Sequence, residues 1–176
     1  MELILPVGVI RKWRPDDAPS LAKHANDRRI WLNLRDRFPH PYGLKDAESF
    51  IAMASAMTPV TFFAIAVNEQ AVGGIGYVLH DDVERVSAEI GYWLGTACWG
   101  QGIMSAALPA VTRFAFARHD QLQRLYAVPF TWSTASIRVL EKSGYRLEGR
   151  MRRSAIKDGQ VTDQVLYAIL RDELPQ

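Results

Sequence analysis

Apolar residues return along this chain with two different periods, and the changes of period divide it into elements. Val7 to Trp13 alternates as a strand does and stops at Arg14-Pro15, after which Asp16 or Asp17 can cap a helix bearing Leu21, Ala22 and Ala25. A short helical piece through Ile30, Trp31 and Leu34 leads into Phe38-Pro39-His40-Pro41-Tyr42-Gly43, where two prolines and a glycine exclude regular helix and mark an ordered loop. Ala47, Phe50, Ile51 and Ala54 then share one face of a helix over Asp46 to Met57, closed by Pro59. From Thr61 the period falls to two. Thr61–Val67 and Ala71–Leu79 are β-branched and aromatic runs joined by Asn68-Glu69-Gln70, and Arg85–Leu94 begins a third strand, so three antiparallel neighbours are expected. In that third strand Val86, Ala88, Ile90, Tyr92 and Leu94 face one way and Ser87, Glu89, Gly91 and Trp93 the other.

Gly100 to His119 carries a helical stripe of Ile103, Ala106, Ala107, Ala110, Val111 and Phe114, with Pro109 inside it predicting a kink or a short first segment. Gln123–Val128 is a short strand. Ser133 can cap a helix over residues 134–143 that Gly144 terminates, and Tyr145–Arg152 and Val161–Leu170 are closing strands with Asp158-Gly159 as the turn signal between them. The order βααβββαβαββ, with no repeat or interdomain linker, predicts one domain over residues 1–176 of mixed α+β or α/β class: a central, mostly antiparallel twisted sheet flanked by helices.

Composition narrows the function classes. The 176 residues suffice for a core without disulfide or metal staples, and the single Cys98 can form no internal disulfide, as expected in a reducing compartment. A formal charge of +2 with basic clusters no longer than Arg28-Arg29 and Arg152-Arg153 gives no nucleic-acid track. Glu2 stands where a signal peptide would be basic, and no run nears the roughly 18 apolar residues of a membrane span, so a cytoplasmic protein without membrane contact is expected. His24, His40, His80 and His119 are dispersed without metal-ligand spacing, and no metal is expected.

The chemistry concentrates where a strand ends and a helix begins. Gly91-Tyr92-Trp93-Leu94-Gly95 is followed by Trp99-Gly100-Gln101-Gly102-Ile103-Met104-Ser105; glycines let backbone approach a bulky anion, and first-turn N–H groups with the helix dipole favour negative charge. A tight turn opening a helix is the plainer reading of the same residues. Gly73, Gly74 and Gly76 lie inside a strand, where a bulge or close packing against a helix explains them better than a ligand does. Glu89 can serve as a carboxylate that takes a proton from an ammonium, or as an ordinary acid on a solvated strand face. Ser133 reads first as an N-cap, while the Ser136 hydroxyl, one turn on, can donate to a thiolate. Cys98 has no activating partner in sequence and reads as inert.

Two segments together, Glu89-Ile90-Gly91-Tyr92-Trp93-Leu94-Gly95 joined to Trp99-Gly100-Gln101-Gly102-Ile103, and Ala135-Ser136-Ile137-Arg138-Val139-Leu140-Glu141-Lys142-Ser143-Gly144-Tyr145, resemble the GCN5-related N-acetyltransferase (GNAT) superfamily, specifically its RimJ/RimL-like branch. The resemblance spans nearly the whole chain and implies the family's fold and acetyl-CoA as cofactor. It implies that backbone at Tyr92, Trp93 and Leu94 pairs with the pantetheine arm, and that Trp99, Gly100, Gln101, Gly102, Ile103, Met104 and Ser105 hold the pyrophosphate, with Ser133 also on the cofactor. The family loop begins with Arg or Gln and places Gly three and Gly or Ala five residues later; here Trp99, Gly102 and Met104 stand there, so only the middle position is kept. Ser133 replaces the asparagine that opens the later motif, and Leu140 replaces the tyrosine that many relatives use as acid; the resemblance to the RimL-like branch implies that role for the serine at Ser136.

The mechanism so implied is direct transfer: Glu89 accepts the ammonium proton, the amine attacks the thioester with N–H groups near Ile90 to Tyr92 on the oxyanion, and Ser136 steadies the departing sulfur. Trp31, Phe38, His40 and Tyr42, with the Lys157–Thr162 hairpin, are the expected acceptor-binding residues. The acceptor is a primary amine, either a protein N-terminus such as that of a ribosomal protein or a small amine; the rivals are a silent acyl-CoA-binding protein, a purely structural or interacting protein, and a nucleic-acid-binding protein, which the acidic pairs Asp81-Asp82 and Asp172-Glu173 disfavour. A homodimer through an edge strand or helix is compatible with the pattern.

Overall fold

The computed structural model describes residues 2–174. The seven strands expected from the sequence and one more at Glu2–Ile4 pair in the order β1-β2-β3-β4-β5-β6-β8-β7. These are β1 (Glu2–Ile4), β2 (Val9–Arg11), β3 (Phe62–Val67), β4 (Gln70–Leu79), β5 (Ser87–Leu94), β6 (Arg124–Ala127), β7 (Arg146–Lys157) and β8 (Gln160–Leu170). The helices are α1 (Ala18–Ala25), α2 (Arg28–Trp31), α3 (Leu44–Ala56), α4 (Ile103–Arg118) and α5 (Thr134–Lys142). The chain divides into two compact units. The first runs to Gly76 and resumes over Tyr92–Ala107, and the second takes Tyr77–Gly91 and Leu108 onward.

In the first unit, Trp13, Leu21, Ala25, Tyr42, Ala47, Ile51, Ala54, Ala64 and Ala71 form one buried cluster, with Phe38, Phe50, Phe62 and Trp93 packed on it. The run Val7–Trp13 is strand only at Val9–Arg11, because Gly8 at φ +86° turns the chain and lets Glu2–Ile4 fold back as a further strand, Leu3 opposite Ile10. Asp17 does not cap α1 with its side chain. Both its oxygens instead accept from the Arg11 guanidinium at 2.7 Å, in a pair only 4 and 5 % exposed. That pairing outweighs burial and raises the Arg11 pKa. Asn68 and Glu69, at φ 47° and 64°, make the two-residue turn between β3 and β4. The glycines of β4 pack on strands and rings rather than on a helix. A Cβ on Gly73 would lie 2.5 Å from the Trp93 carbonyl oxygen, and one on Gly74 2.9 Å from Trp93 Nε1 and 3.2 Å from Trp13.

The second unit holds the parallel pairing of the sheet, Ser87–Glu89 of β5 beside Arg124–Tyr126 of β6, which a helical crossover makes possible. Leu108, Val111, Ala115, Phe116, Leu125, Leu140 and Ile169 are among its buried residues, and the Thr112 and Tyr145 hydroxyls bond at 2.8 Å. Pro109 does not shorten α4, which continues through it. Helix α5 ends as the sequence predicts: Gly144 at φ +88° donates to Glu141 O at 3.1 Å and Tyr145 to Leu140 O at 3.0 Å, the paired bonds of a glycine-terminated helix. Asp158 and Gly159, both at positive φ, turn β7 into β8. No helix among the described residues is long and apolar enough to cross a membrane.

Candidate active site

The glycine turn lies in the first unit. Beyond Leu94 the chain makes a 3-10 turn at Thr96–Cys98, anchored by Gly95 N–H to Val72 O at 2.7 Å. Gly100 (φ +76°) and Gly102 (φ +75°) follow in the left-handed region, each with nothing within 4 Å of a built Cβ. The helix therefore starts at Ile103, three residues later than the sequence pattern places it, because the left-handed glycines break the helical path. Gly102 O accepts from Ala106 N at 3.1 Å, so the N–H groups of Ile103, Met104 and Ser105 have no carbonyl in a preceding turn. Open space, two left-handed glycines and the first-turn N–H groups of a helix fit a phosphate-bearing group such as that of coenzyme A.

Side chains at the turn do less than expected. Ile103 and Met104 are buried, so they can offer a ligand only backbone. Trp99 folds back, its Nε1 donating to Leu94 O at 2.7 Å, and Gln101 Nε2 donates to Ala97 O at 3.1 Å. Trp93 packs edge-on to Phe38 at 5.8 Å. Arg29 was legible only as half of a short basic pair, yet its guanidinium lies 5.8 Å over the Trp99 ring. Asp27, the side-chain cap of α2, holds Arg29 at 2.6 Å and accepts from Thr96 Oγ1 at 3.0 Å. The hydrogen bond from Arg29, first of all, keeps the Asp27 carboxyl well below the usual carboxylate range. The Asp27-x-Arg29 spacing was the available signal; contact with Thr96 and Trp99 was not encoded nearby. Burial raises the Cys98 thiol pKa, which agrees with an inert cysteine.

The acceptor-loop residues separate into two kinds. Half-buried Trp31 stacks on exposed His40 with centroids 5.9 Å apart, and the Arg28 guanidinium lies 5.7 Å from its ring centroid. Tyr42 corrects the expectation: it is buried in the cluster, 4.7 Å from the Phe38 ring, and burial pushes its phenol up to about 12. It acts as a core anchor, with half-buried Phe38 covering it.

In the second unit Glu89 is half-buried on β5, directly beside Tyr126 in the parallel register. Neighbours in register share a sheet face, so Tyr126 belongs to the surroundings of Glu89. Its hydroxyl meets His80 Nε2 at 2.8 Å, and Arg124 lies 5.3 Å over its ring while gripping Glu148 at 2.7 and 2.6 Å. In sequence His80 figures only among the dispersed histidines and Tyr126 not at all; their meeting depends on strand order. Ser133 takes the N-cap position of α5 but makes no side-chain cap bond, and its carbonyl accepts from Ile137 N at 3.0 Å. Ser136 is half-buried in the first turn of that helix. No group of three or more metal-ligating side chains is gathered among the described residues.

Comparison with known proteins places this geometry. Residues 9–146 match the acetyltransferase (GNAT) domain family. An uncharacterised N-acetyltransferase, p20, of Bacillus licheniformis is 27 % identical over 168 residues, covering 93 % of either chain. The ribosomal-protein-serine acetyltransferase of Escherichia coli is 30 % identical over 110 residues, 62 % of this chain and 60 % of that one. Mycobacterium smegmatis RimJ, solved with a CoA-disulfide, superposes with a TM-score of 0.85 at 28 % identity, covering 100 % of this chain and 88 % of that chain.

Proposed function

Because the chain belongs to the GNAT acetyltransferase family, and is thereby an acetyl-CoA-dependent N-acetyltransferase, we propose that its acceptor is the amino-terminal amine of a polypeptide, with Glu89 as base and Ser136 at the leaving sulfur. The observation that carries the cofactor half is the pair of left-handed glycines, Gly100 and Gly102, opening α4, whose first-turn N–H groups have no carbonyl in a preceding turn. The acceptor half draws on similarity to an enzyme that acetylates a ribosomal protein. The family match takes in residues of both compact units, which supports reading residues 1–176 as one acetyltransferase domain.

Acetyl-CoA, when bound, supplies an acetyl group activated as a thioester. Ile103, Met104 and Ser105 N–H groups hold its phosphates, and the Tyr92–Leu94 backbone orients the arm that carries the thioester. Glu89 accepts a proton from the acceptor ammonium, directly or through water, which frees the nitrogen lone pair for attack. As the carbon–sulfur bond breaks, the Ser136 hydroxyl would hydrogen-bond the departing sulfur, and the surplus proton left on the nitrogen would pass to the thiolate, giving the amide and the free CoA thiol; a thiolate is stable enough that no stronger acid is needed. Trp31 and His40 form the accessible part of the acceptor surface.

The test is release of free CoA from acetyl-CoA with a panel of peptides and small amines, read across pH with the wild type, Glu89→Gln and Ser136→Ala. We expect turnover with peptide amines, and a fall in kcat of about 10²-fold or more for Glu89→Gln that shrinks as the pH approaches the pKa of the free amine. An unchanged kcat across pH would remove Glu89 as base. Turnover confined to small amines would remove the polypeptide acceptor.

A further inference from the structure

Strand β7 is the edge of the sheet and carries Arg146, Arg150, Arg152, Arg153 and Lys157 against the single carboxylate of Glu148. That excess exceeds the +2 of the whole chain, so positive charge is gathered here while the remainder is close to neutral or acidic. The cations are not equivalent. Arg146 is paired with Glu173 and Arg150 with Asp163, each at 2.7 Å, and Lys157 is buried. Arg152 and Arg153 are exposed, and no carboxylate among the described residues makes an ion pair with either.

A built irregularity presents these two side chains. Met151 pairs with Gln164 and Ala155 with Thr162, so Arg152, Arg153 and Ser154 stand opposite the lone Asp163 and bulge from the sheet edge. Arg153 takes φ +51°, a conformation that costs energy in a residue with a side chain. Asp163 fixes it: one oxygen accepts from Arg153 N–H and the other from Arg150 Nε, both at 2.7 Å. Ser154 Oγ closes the bulge by donating to Met151 O at 3.0 Å. A regular edge strand would have paired with Asp163 without this strain. The two carboxylate oxygens are taken by the Arg153 backbone and by Arg150, so Arg152 feels Asp163 only through space and neither the Arg152 nor the Arg153 guanidinium is ion-paired with it.

The place has a measurable relation to the proposed base. Glu89, Tyr126, Ala168 and Arg146 stand in one row across β5, β6, β8 and β7. Asp163 lies five residues along β8 from Ala168, so the bulge is on the order of 20 Å from Glu89 at about 3.3 Å per residue and 4.8 Å per strand. No small amine spans that distance, whereas an extended polypeptide covers it in roughly six residues.

We propose that the Arg152-Arg153 bulge is a recognition site for carboxylate side chains of a polypeptide acceptor, about five to seven residues beyond its reactive amine. The proposal rests on the polypeptide-acceptor reading and adds the class of sequence accepted. Exposed Met151 beside the bulge gives such a segment an apolar contact as well.

The experiment compares two decapeptides that share their first four residues and differ only in three glutamates or three glutamines at positions five to seven. Steady-state kinetics of the full chain are run with each, alongside fluorescence-anisotropy binding of the labelled peptides. The expected result is a KM and Kd for the glutamate peptide roughly three- to tenfold lower, with equal kcat, the gap closing as salt is raised. R152Q/R153Q should abolish the gap and leave the glutamine peptide unchanged, and R152E/R153E should reverse the preference toward a lysine version. Equal KM and Kd for the two peptides with the wild type, or a gap that survives R152Q/R153Q, overturns the proposal while leaving the acceptor reading intact. Absence of both turnover and binding with every peptide, while small amines are acetylated, overturns the acceptor reading and this inference with it.

Discussion

Gly73→Ala tests whether packing behind β5 sets the strand that orients the cofactor. A methyl group at Gly73 would sit 2.5 Å from Trp93 O, 2.9 Å from Leu94 Cδ1 and 3.1 Å from Leu94 Cα. Two of the three obstacles are backbone, so a rotamer change does not relieve them. A carbon approaches a carbonyl oxygen to about 3.3 Å, which requires β5 to retreat locally by about 0.8 Å. Overpacking of this kind costs about 1–3 kcal/mol, partly offset by about 0.4–1 kcal/mol from the restricted unfolded chain. A net loss of about 1–2 kcal/mol lowers Tm by roughly 2–8 °C in a domain of this size. Gly91→Ala on the same strand is the matched control, since nothing lies within 4 Å of its built Cβ, and it should leave Tm unchanged or slightly raised. Calorimetric titration with acetyl-CoA gives the functional half: displacement of Trp93 and Leu94 should raise Kd roughly two- to tenfold, the worth of about one hydrogen bond. Equal urea midpoints for Gly73→Ala and Gly91→Ala would refute the packing argument. A destabilised Gly73→Ala with unchanged Kd would refute the link from this packing to the cofactor.

Two further outcomes test the units separately. Asp17→Asn leaves the buried Arg11 cation without its carboxylate, and urea denaturation should show a loss of about 3–5 kcal/mol; a loss under about 1 kcal/mol would mean the pair is not the buried bidentate one seen here. Burial, with Arg118 adding, lowers the His119 pKa below 6.5, so the folded state resists its protonation. Full stability is therefore present above about pH 6.5 and falls as the pH drops toward the folded value. Tm measured at pH 7.5 and 5.5 should fall in the wild type and fall less in His119→Gln, which also loses the contact with Tyr77 Oη at 3.0 Å; equal falls in the two proteins would exclude His119 from the pH response.

The elements that could be read along the chain are those whose causes are local. Asp158-Gly159 and Asn68 announce turns because their own backbone preferences allow the left-handed region, and Gly144 stops α5 for the same reason. The start of α4 was misplaced because helix propensity of the stretch says nothing about two glycines held left-handed. Pairings across long separations were silent. Arg11 and Asp17 are six residues apart and each looks like a surface charge, Arg29 reaches Thr96 over 67 positions, and Tyr126 reaches His80 over 46. Tyr42 shows the converse: an aromatic in a proline loop reads as a pocket wall until its burial is known. The bulge at Arg152–Ser154 gave only two adjacent arginines in sequence, since its cause is Asp163 on the partner strand.

The fold-back of Trp99 gives the protein an optical handle. Its indole is 47 % exposed, tied through Nε1 to Leu94 and overlaid by Arg29, at the entrance to the glycine turn. Emission from an indole responds to nearby charge and to its solvent shell, so a phosphate arriving at Gly100 and Gly102 changes the signal without any attached dye. Trp13, Trp31, Trp93 and Trp132 emit as well, so the difference between the wild type and a Trp99→Phe protein isolates the turn's own fluorescence.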